Sequence, residues 1–235
     1  MFVFLKLSLA HLIGDFVLQF EELYELKLRS ARGNIIHVLI HAVLALVLLA
    51  PYLGSISILG FIGFISIVHF VQDSLKYGSG KDRRSFFPIF VLDQLSHFFF
   101  MSFVFVLPAS KIVRGFADHA FLNSIYISQE ITIYLIAFIA ATFCGAYLFN
   151  AFYLSYGPPG ETKKFISSFE LAHGLIERGM IVTWIIFMPN GFYLLPLLGI
   201  GLLRLPSKRL KCFREYLVSV LYACLVGVMA RAIVG

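Results

Sequence analysis

A chain of 235 residues that is 60% hydrophobic, 16% aromatic and 14% charged, with a mean hydropathy of +0.89, is not an ordinary soluble domain, in which about a quarter of the residues are charged. Its net charge of +6 looks like a nucleic-acid signal, but the basic residues cluster between long apolar runs, where membrane topology explains them; no nucleic-acid partner is expected. Three cysteines (Cys144, Cys212, Cys224) without a C-x-x-C spacing point to neither a disulfide framework nor a thiolate zinc site.

A spanning helix needs about 20 mostly apolar residues. Runs at 2–20, 35–50, 55–76, 87–107, 130–154, 170–188, 192–204 and 215–234 meet or approach that length. The pattern predicts an all-α, polytopic membrane helix bundle of seven or eight transmembrane helices, with the second, sixth and seventh runs short or polar enough to tilt or re-enter. The first run carries Lys6 and lacks a small-residue cleavage site, so it reads as a retained span and not a signal peptide. Asn34 precedes the second run, Pro51 and Gly54 follow it, Gly78 and Gly80 follow the third, and Pro108 closes the fourth, all of them boundary signals. Gly157-Pro158-Pro159-Gly160 is the clearest break. The expected division is a site-bearing region over 1–108 and C-terminal membrane helices over 109–235.

The segments 21–33, 76–84, 155–165 and 204–214, read as loops on one side, hold 14 of the 19 Lys and Arg. The positive-inside rule places them in the cytoplasm. Lys81, Arg83 and Arg84 are expected to set topology and to meet anionic lipid headgroups.

Within the first four runs one spacing recurs. It reads His11-x-x-x-Asp15, His37-x-x-x-His41, His69-x-x-x-Asp73 and Asp93-x-x-x-His97. Residues i and i+4 share one helix face, and the alternating direction of the four runs brings every pair to a similar depth on the cytoplasmic side. A buried Asp costs about 2.5–3.5 kcal/mol at a helix centre on the insertion scale, so eight such groups need partners. Imidazole and carboxylate are the ligands of zinc, manganese or iron, and bundle cores are where such sites are built. His11, Asp15, His37, His41, His69, Asp73, Asp93 and His97 are the expected ligands of one or two divalent ions. The alternative is a polar network that only holds helices together, or a proton path.

Gln19, Gln72 and Gln94 flank the pairs as interfacial or hydrogen-bonding groups, and Lys76 reads as a side chain snorkelling to the headgroups. On the sixth run His173 and Glu177 repeat the i, i+4 spacing. Glu177 is a candidate acid/base, with an ion pair to Arg204 or Arg231 as its structural alternative.

The run His11-Leu12-Ile13-Gly14-Asp15-Phe16-Val17-Leu18-Gln19, with His37-x-x-x-His41, His69-Phe70-x-x-Asp73-x-x-Lys76 and Asp93-Gln94-x-x-His97, resembles an uncharacterised bacterial integral-membrane family. The resemblance covers roughly the first 110 residues, and Gly174-x-x-Glu177-Arg178 and Glu215-Tyr216 are similar to its weaker later marks. The His/Asp layout is also similar to that of the predicted membrane-bound metal-dependent hydrolases. What this resemblance implies is a membrane hydrolase with a divalent metal; it supplies no substrate. A site lying within the lipid of a bacterial inner membrane points to a lipid-linked ester or phosphoester, with a metal-bound water as nucleophile and Asp15, Asp73 or Asp93 as bridging ligand or base. An oxidative di-iron enzyme is one rival, against which three Asp weigh. A divalent-cation transporter or sensor is the other; its site would be expected nearer the bilayer midplane.

Overall fold

The computed structural model describes residues 1–79, 86–156, 168–188 and 210–235, with backbone only at 77–79, 168–173 and 210–216. All secondary structure among the described residues is helical. The expected run 192–204, the break at Gly157–Gly160, the basic residues Lys81, Arg83, Arg84 and Arg204, and the side chains of His173, Glu215 and Tyr216 lie outside them. The chain forms two compact units, Met1–Thr132 with Asn150–Phe165, and Ile133–Phe149 with Ile166–Gly235. The first contains the whole of the 1–108 region and extends past it.

In the first unit α1 (Phe2–Leu12) passes directly into a π-helical segment, Ile13–Val17. Then come α2 (Glu21–Arg29), α3 (Ala31–Leu48), α4 (Ile56–Ser79), α5 (Phe86–Ser102) and α6 (Ala120–Ile127). α3 packs on α1, α2 and α4, and α5 packs on α1 and α4.

The four long helices are divided alike along their length. Leu7 and Ala10 of α1, Ala45 of α3, Ile58 and Ile62 of α4 and Met101 of α5 form one buried apolar cluster, while the His and Asp residues lie on the other side of each division. Tyr52 closes the apolar end, donating its hydroxyl to the Ile112 carbonyl at 2.6 Å and accepting from the Arg114 amide at 3.0 Å. Lys6 is buried within this end. Its ammonium donates to Thr132 Oγ1 at 2.9 Å and lies 4.5 Å from the Tyr126 ring centroid.

In lipid, apolar burial gives helices little reason to associate, and packing and interhelical hydrogen bonds take over. Asn34 supplies one such link. Its Nδ2 donates to the Phe70 carbonyl at 3.0 Å and to Ser74 Oγ at 2.9 Å. Asn34 is thus not a boundary residue as expected, because α3 begins at Ala31. A second link joins α4 to α5, where Gln72 Nε2 donates to Ser96 Oγ at 2.6 Å.

The segment 21–33, read as a basic loop, is helical over α2. Glu21 and Glu22 in its first turn and Lys27 and Arg29 in its last complement the helix dipole. Leu23 and Lys27, four residues apart, are its buried face. The axis turns by 90° between Phe2–Val17 and α2. Gly33 holds α2 close, since a Cβ there would run into the backbone of Leu26 and the Lys27 amide. Only a residue without a side chain permits that approach.

Five described stretches are long and apolar enough to cross a membrane: Ala31–Leu48, Ile56–Lys76, Phe86–Val106, Gln129–Tyr156 and Leu217–Val234. A sixth appears if the bent pair Phe2–Val17 and Glu21–Arg29 counts as one span. That is fewer than the seven or eight expected. The run at 170–188 is helical but carries Glu170, Glu177 and Arg178, too many charges to pass on composition. The described residues are therefore all-helical and of membrane type, with Val47, Ile67, Leu92 and Phe99 among the large apolar side chains left facing outward.

The second unit is built around another backbone irregularity. α7 (Gln129–Ile139) leads into a π segment, Ala140–Cys144, and then α8 (Gly145–Tyr156). α9 (Ser168–Phe187) and α10 (Leu210–Val234) pack on each other and on the π segment. Arg178 of α9, 5% exposed, donates Nε to the Ala141 carbonyl at 2.7 Å and Nη2 to the Thr142 carbonyl at 2.9 Å. Tyr222 donates to the Ala140 carbonyl at 2.9 Å. These bonds satisfy carbonyls that a π turn tilts out of the helical ladder, in surroundings without water to replace them. Replacing Arg178 by Met is expected to cost about 3 kcal/mol, the scale for orphaning buried acceptors. Thermal unfolding in detergent checks it, with Arg231→Met, whose guanidinium bonds the Ile185 and Met188 carbonyls near the end of α9, expected to be milder because it is less buried.

Candidate metal centre

All eight side chains of the four pairs are buried, none more than 8% exposed, and they meet among α1, α3, α4 and α5. Asp15 is at the middle. It sits in the π segment and not on a regular α turn, and its carboxylate faces the histidines of α3. Asp15 Oδ1 lies 3.1 Å from His37 Nε2, 3.1 Å from His41 Nε2 and 3.8 Å from His69 Nε2. Its other oxygen accepts from Gln94 Nε2 at 2.9 Å and is 3.5 Å from His11 Nε2. Gly14, next to Asp15, makes room for the His41 ring: a Cβ there would stand 2.5 Å from its Cε1 and Nε2.

The imidazoles show what the cluster lacks. His69 Nε2 and His97 Nε2 are buried without a hydrogen-bond partner, and His41 Nε2 has only the Asp15 carboxylate, at 3.1 Å. The rings crowd together, with centroids 4.2 Å apart for His41 and His69 and 4.3 Å for His69 and His97. His97 Nδ1 donates to the Asp93 carbonyl at 2.7 Å. That bond fixes the tautomer and leaves the Nε2 lone pair facing the cluster. A buried lone pair without a donor carries a desolvation cost of about 1–3 kcal/mol, and an electrophile among the three nitrogens removes it.

Asp73 and Asp93 differ from Asp15 in having lysines. Lys27 Nζ from α2 lies 2.7 Å from Asp73 Oδ2 and donates to Gln19 Oε1 at 3.3 Å. Lys76 Nζ lies 2.6 Å from Asp93 Oδ2. Lys76 therefore does not snorkel away from the site; it turns inward because Asp93 is the nearer and drier partner. Against these two ammoniums stand three carboxylates, so with neutral imidazoles one negative charge is left over, and Asp15 is the carboxylate without a lysine.

Two overlapping groups can hold a metal ion. Asp15, His37, His41 and His69 each offer a ligand atom, all within 4.8 Å of one another, and so do His69, Asp73 and His97. His11 and Asp93 fall outside both. His11 donates through Nε2 to Gln94 Oε1 at 3.3 Å, and Asp93 is taken up by Lys76, so both stand around the groups. Glu177 is buried in the second unit, whereas both groups draw all their residues from the first. A cavity of about 30 Å³ touches His11, His41, His69 and His97 and is otherwise lined largely by apolar side chains such as Ala45, Ile65 and Met101. It has room for a water or a small reacting group, since a single water needs about 10–15 Å³ on that measure.

Lys27 is the participant that helix spacing misses. It lies on a segment read as a loop, and its partner is 46 positions away in α4. The signal that finds it is charge: three buried carboxylates require cations, and few are near enough in the chain.

The family model described as Protein of unknown function (DUF3307) matches residues 3–122, from α1 into α6, and so spans every residue of the cluster. No curated protein and no solved structure matches the chain. With more than half of its length covered, and the four His/Asp pairs all inside that span, the chain belongs to the DUF3307 family.

Proposed function

We propose that the cluster is a divalent-metal centre for zinc, manganese or iron, and that the protein is a membrane-embedded hydrolase of a lipid-linked ester or phosphoester. The observation that carries this reading is the convergence of three buried imidazole nitrogens, those of His37, His41 and His69, on the one carboxylate that has no lysine. A catalytic site differs from a closed structural one in keeping a position for water or substrate, and here a cavity with room for a water, lined largely by apolar side chains such as Ala45, Ile65 and Met101, lies beside the ligands. A divalent ion in such a site polarises the bond to be broken and activates water at neutral pH. Asp15 and His41 hold the ion, and Gln94 and His11 orient the Asp15 carboxylate. Lys76, with a side chain 28% exposed, is the cation best placed to meet an anionic headgroup. The basic segments 21–33 and 76–84 set the site on the cytoplasmic side of a bacterial inner membrane.

The test combines elemental mass spectrometry of the detergent-purified protein with hydrolysis of fluorogenic phosphoester and carboxyl-ester lipids in mixed micelles. Activity is expected to follow metal content, to vanish with chelator, to return on re-addition of the ion, and to be absent in His41→Ala. Bound metal with no hydrolysis, and with metal flux into proteoliposomes, would replace the hydrolase reading by transport. No metal after reconstitution would leave a polar network.

A further inference from the structure

The two metal-capable groups share His69, and their remaining members separate cleanly. Asp15, His37 and His41 complete the first group, and Asp73 and His97 the second. One imidazole nitrogen serves one ion, so with two ions bound His69 goes to only one of them: either both have two imidazoles and a carboxylate, or the first has three imidazoles and a carboxylate and the second has His97 and Asp73 alone. The second of these positions already has a cation beside it. Lys27 Nζ is 2.7 Å from Asp73 Oδ2, and that oxygen is 3.6 Å from His37 Nε2 and 3.9 Å from His69 Nε2. Lys27 has little freedom to leave: its side chain is 2% exposed, and Gly33 pins its backbone against α3.

We infer that Lys27 occupies the place of a second metal ion, so that the native centre is mononuclear at Asp15–His37–His41–His69 and the Asp73–His97 position is a latent metal site held shut by an ammonium. This rests on the reading that the cluster binds metal, though not on its being a hydrolase. Charge supports it. One divalent ion converts the leftover negative charge into a single positive one; a second would add two more among buried side chains, where unpaired charge is costly. Removing Lys27 takes away one positive charge and uncovers Asp73 together. The His97 Nε2 lone pair, buried and unpartnered, is then the ligand awaiting an ion, and in the native protein it faces the first ion's surroundings unused.

The experiment loads full-length wild type, Lys27→Met, His97→Ala and the double variant with zinc or manganese alone, and counts bound metal by elemental analysis after desalting. Manganese EPR reports whether two ions are magnetically coupled. Wild type and His97→Ala are expected to retain about one equivalent, Lys27→Met about two with coupled spins, and the double variant about one, as metal loading follows the deprotonated ligands present. Two equivalents in wild type, or a folded Lys27→Met that stays at one, overturns the inference. Should Lys27→Met not fold, His97→Ala decides: loss of its single ion would show that the two positions are not separable and would overturn the inference equally. Absence of metal from every protein would instead defeat the metal reading itself.

Discussion

Asp15→Asn is expected to lose its metal and its hydrolytic activity while folding as well as the wild type, or better. The substitution keeps the shape of the side chain and one oxygen for the surrounding donors. It removes the charge that three imidazoles approach, at 3.1, 3.1 and 3.8 Å. Outer partners of ligands alone shift metal affinity by about 10–100-fold, so loss of the central carboxylate should exceed about 100-fold. Stability moves the other way. In the metal-free protein Asp15 is the carboxylate without a lysine, and neutralising it leaves Asp73 and Asp93 balanced by Lys27 and Lys76. A functional site that burdens the empty fold is a familiar trade. Asp73→Asn makes the contrast: it strands the ammonium of Lys27 and is expected to destabilise by about 3–5 kcal/mol, as breaking a buried pair does. Metal content and thermal unfolding of the two chelator-treated variants separate the cases. If Asp15→Asn keeps its metal, or melts well below Asp73→Asn, then Asp15 is a structural residue and the metal centre is elsewhere.

How much of this was legible in the chain depends on the range over which each feature is encoded. The four pairs are local, four residues apart on apolar helices, and helix periodicity together with alternating direction suffices to bring them to one depth. The π turn under Asp15 is invisible to that reasoning, because His11 and Asp15 have the same spacing in sequence whether the turn between them is α or π. α2 was hidden for a different reason. Nine residues with Glu21, Glu22, Glu25, Lys27 and Arg29 have the composition of a loop, and what makes them a helix is tertiary, the contact of Leu23 and the Leu26–Lys27 backbone with α3. Lys76 was misread because snorkelling is an argument from one side chain and the membrane, whereas its position is decided by Asp93 on another helix. Arg178 is a charge inside an apolar run, but two of its partners are carbonyls of a π segment some 36 positions earlier, and backbone carbonyls carry no sequence signal. Topology by hydropathy is least decisive at α9, where charge interrupts the apolar run and the helix does not reach the composition of a span.

Gly14→Ala is the sharpest test of packing around the centre. An added Cβ would stand 2.5 Å from two atoms of the His41 ring and 2.9 Å from a third, inside the distance at which carbon atoms coexist, so the ring or the π segment must shift. The ring is crowded by its neighbours. His37 and His69 lie with centroids 4.5 and 4.2 Å away, and His11 is at 5.4 Å. Overpacking of this kind costs about 1–3 kcal/mol, and a displaced His41 cannot keep its nitrogen beside Asp15 Oδ1, so metal content should fall with stability. The double variant isolates the cause. With His41→Ala present the added methyl meets empty space, and Gly14→Ala should then cost close to nothing, giving an interaction energy of about 1–3 kcal/mol in the cycle. Equal costs with and without the His41 ring would mean that the strain lies in the π-segment backbone, and that Gly14 is there for the turn that carries Asp15 and not for the imidazole beside it.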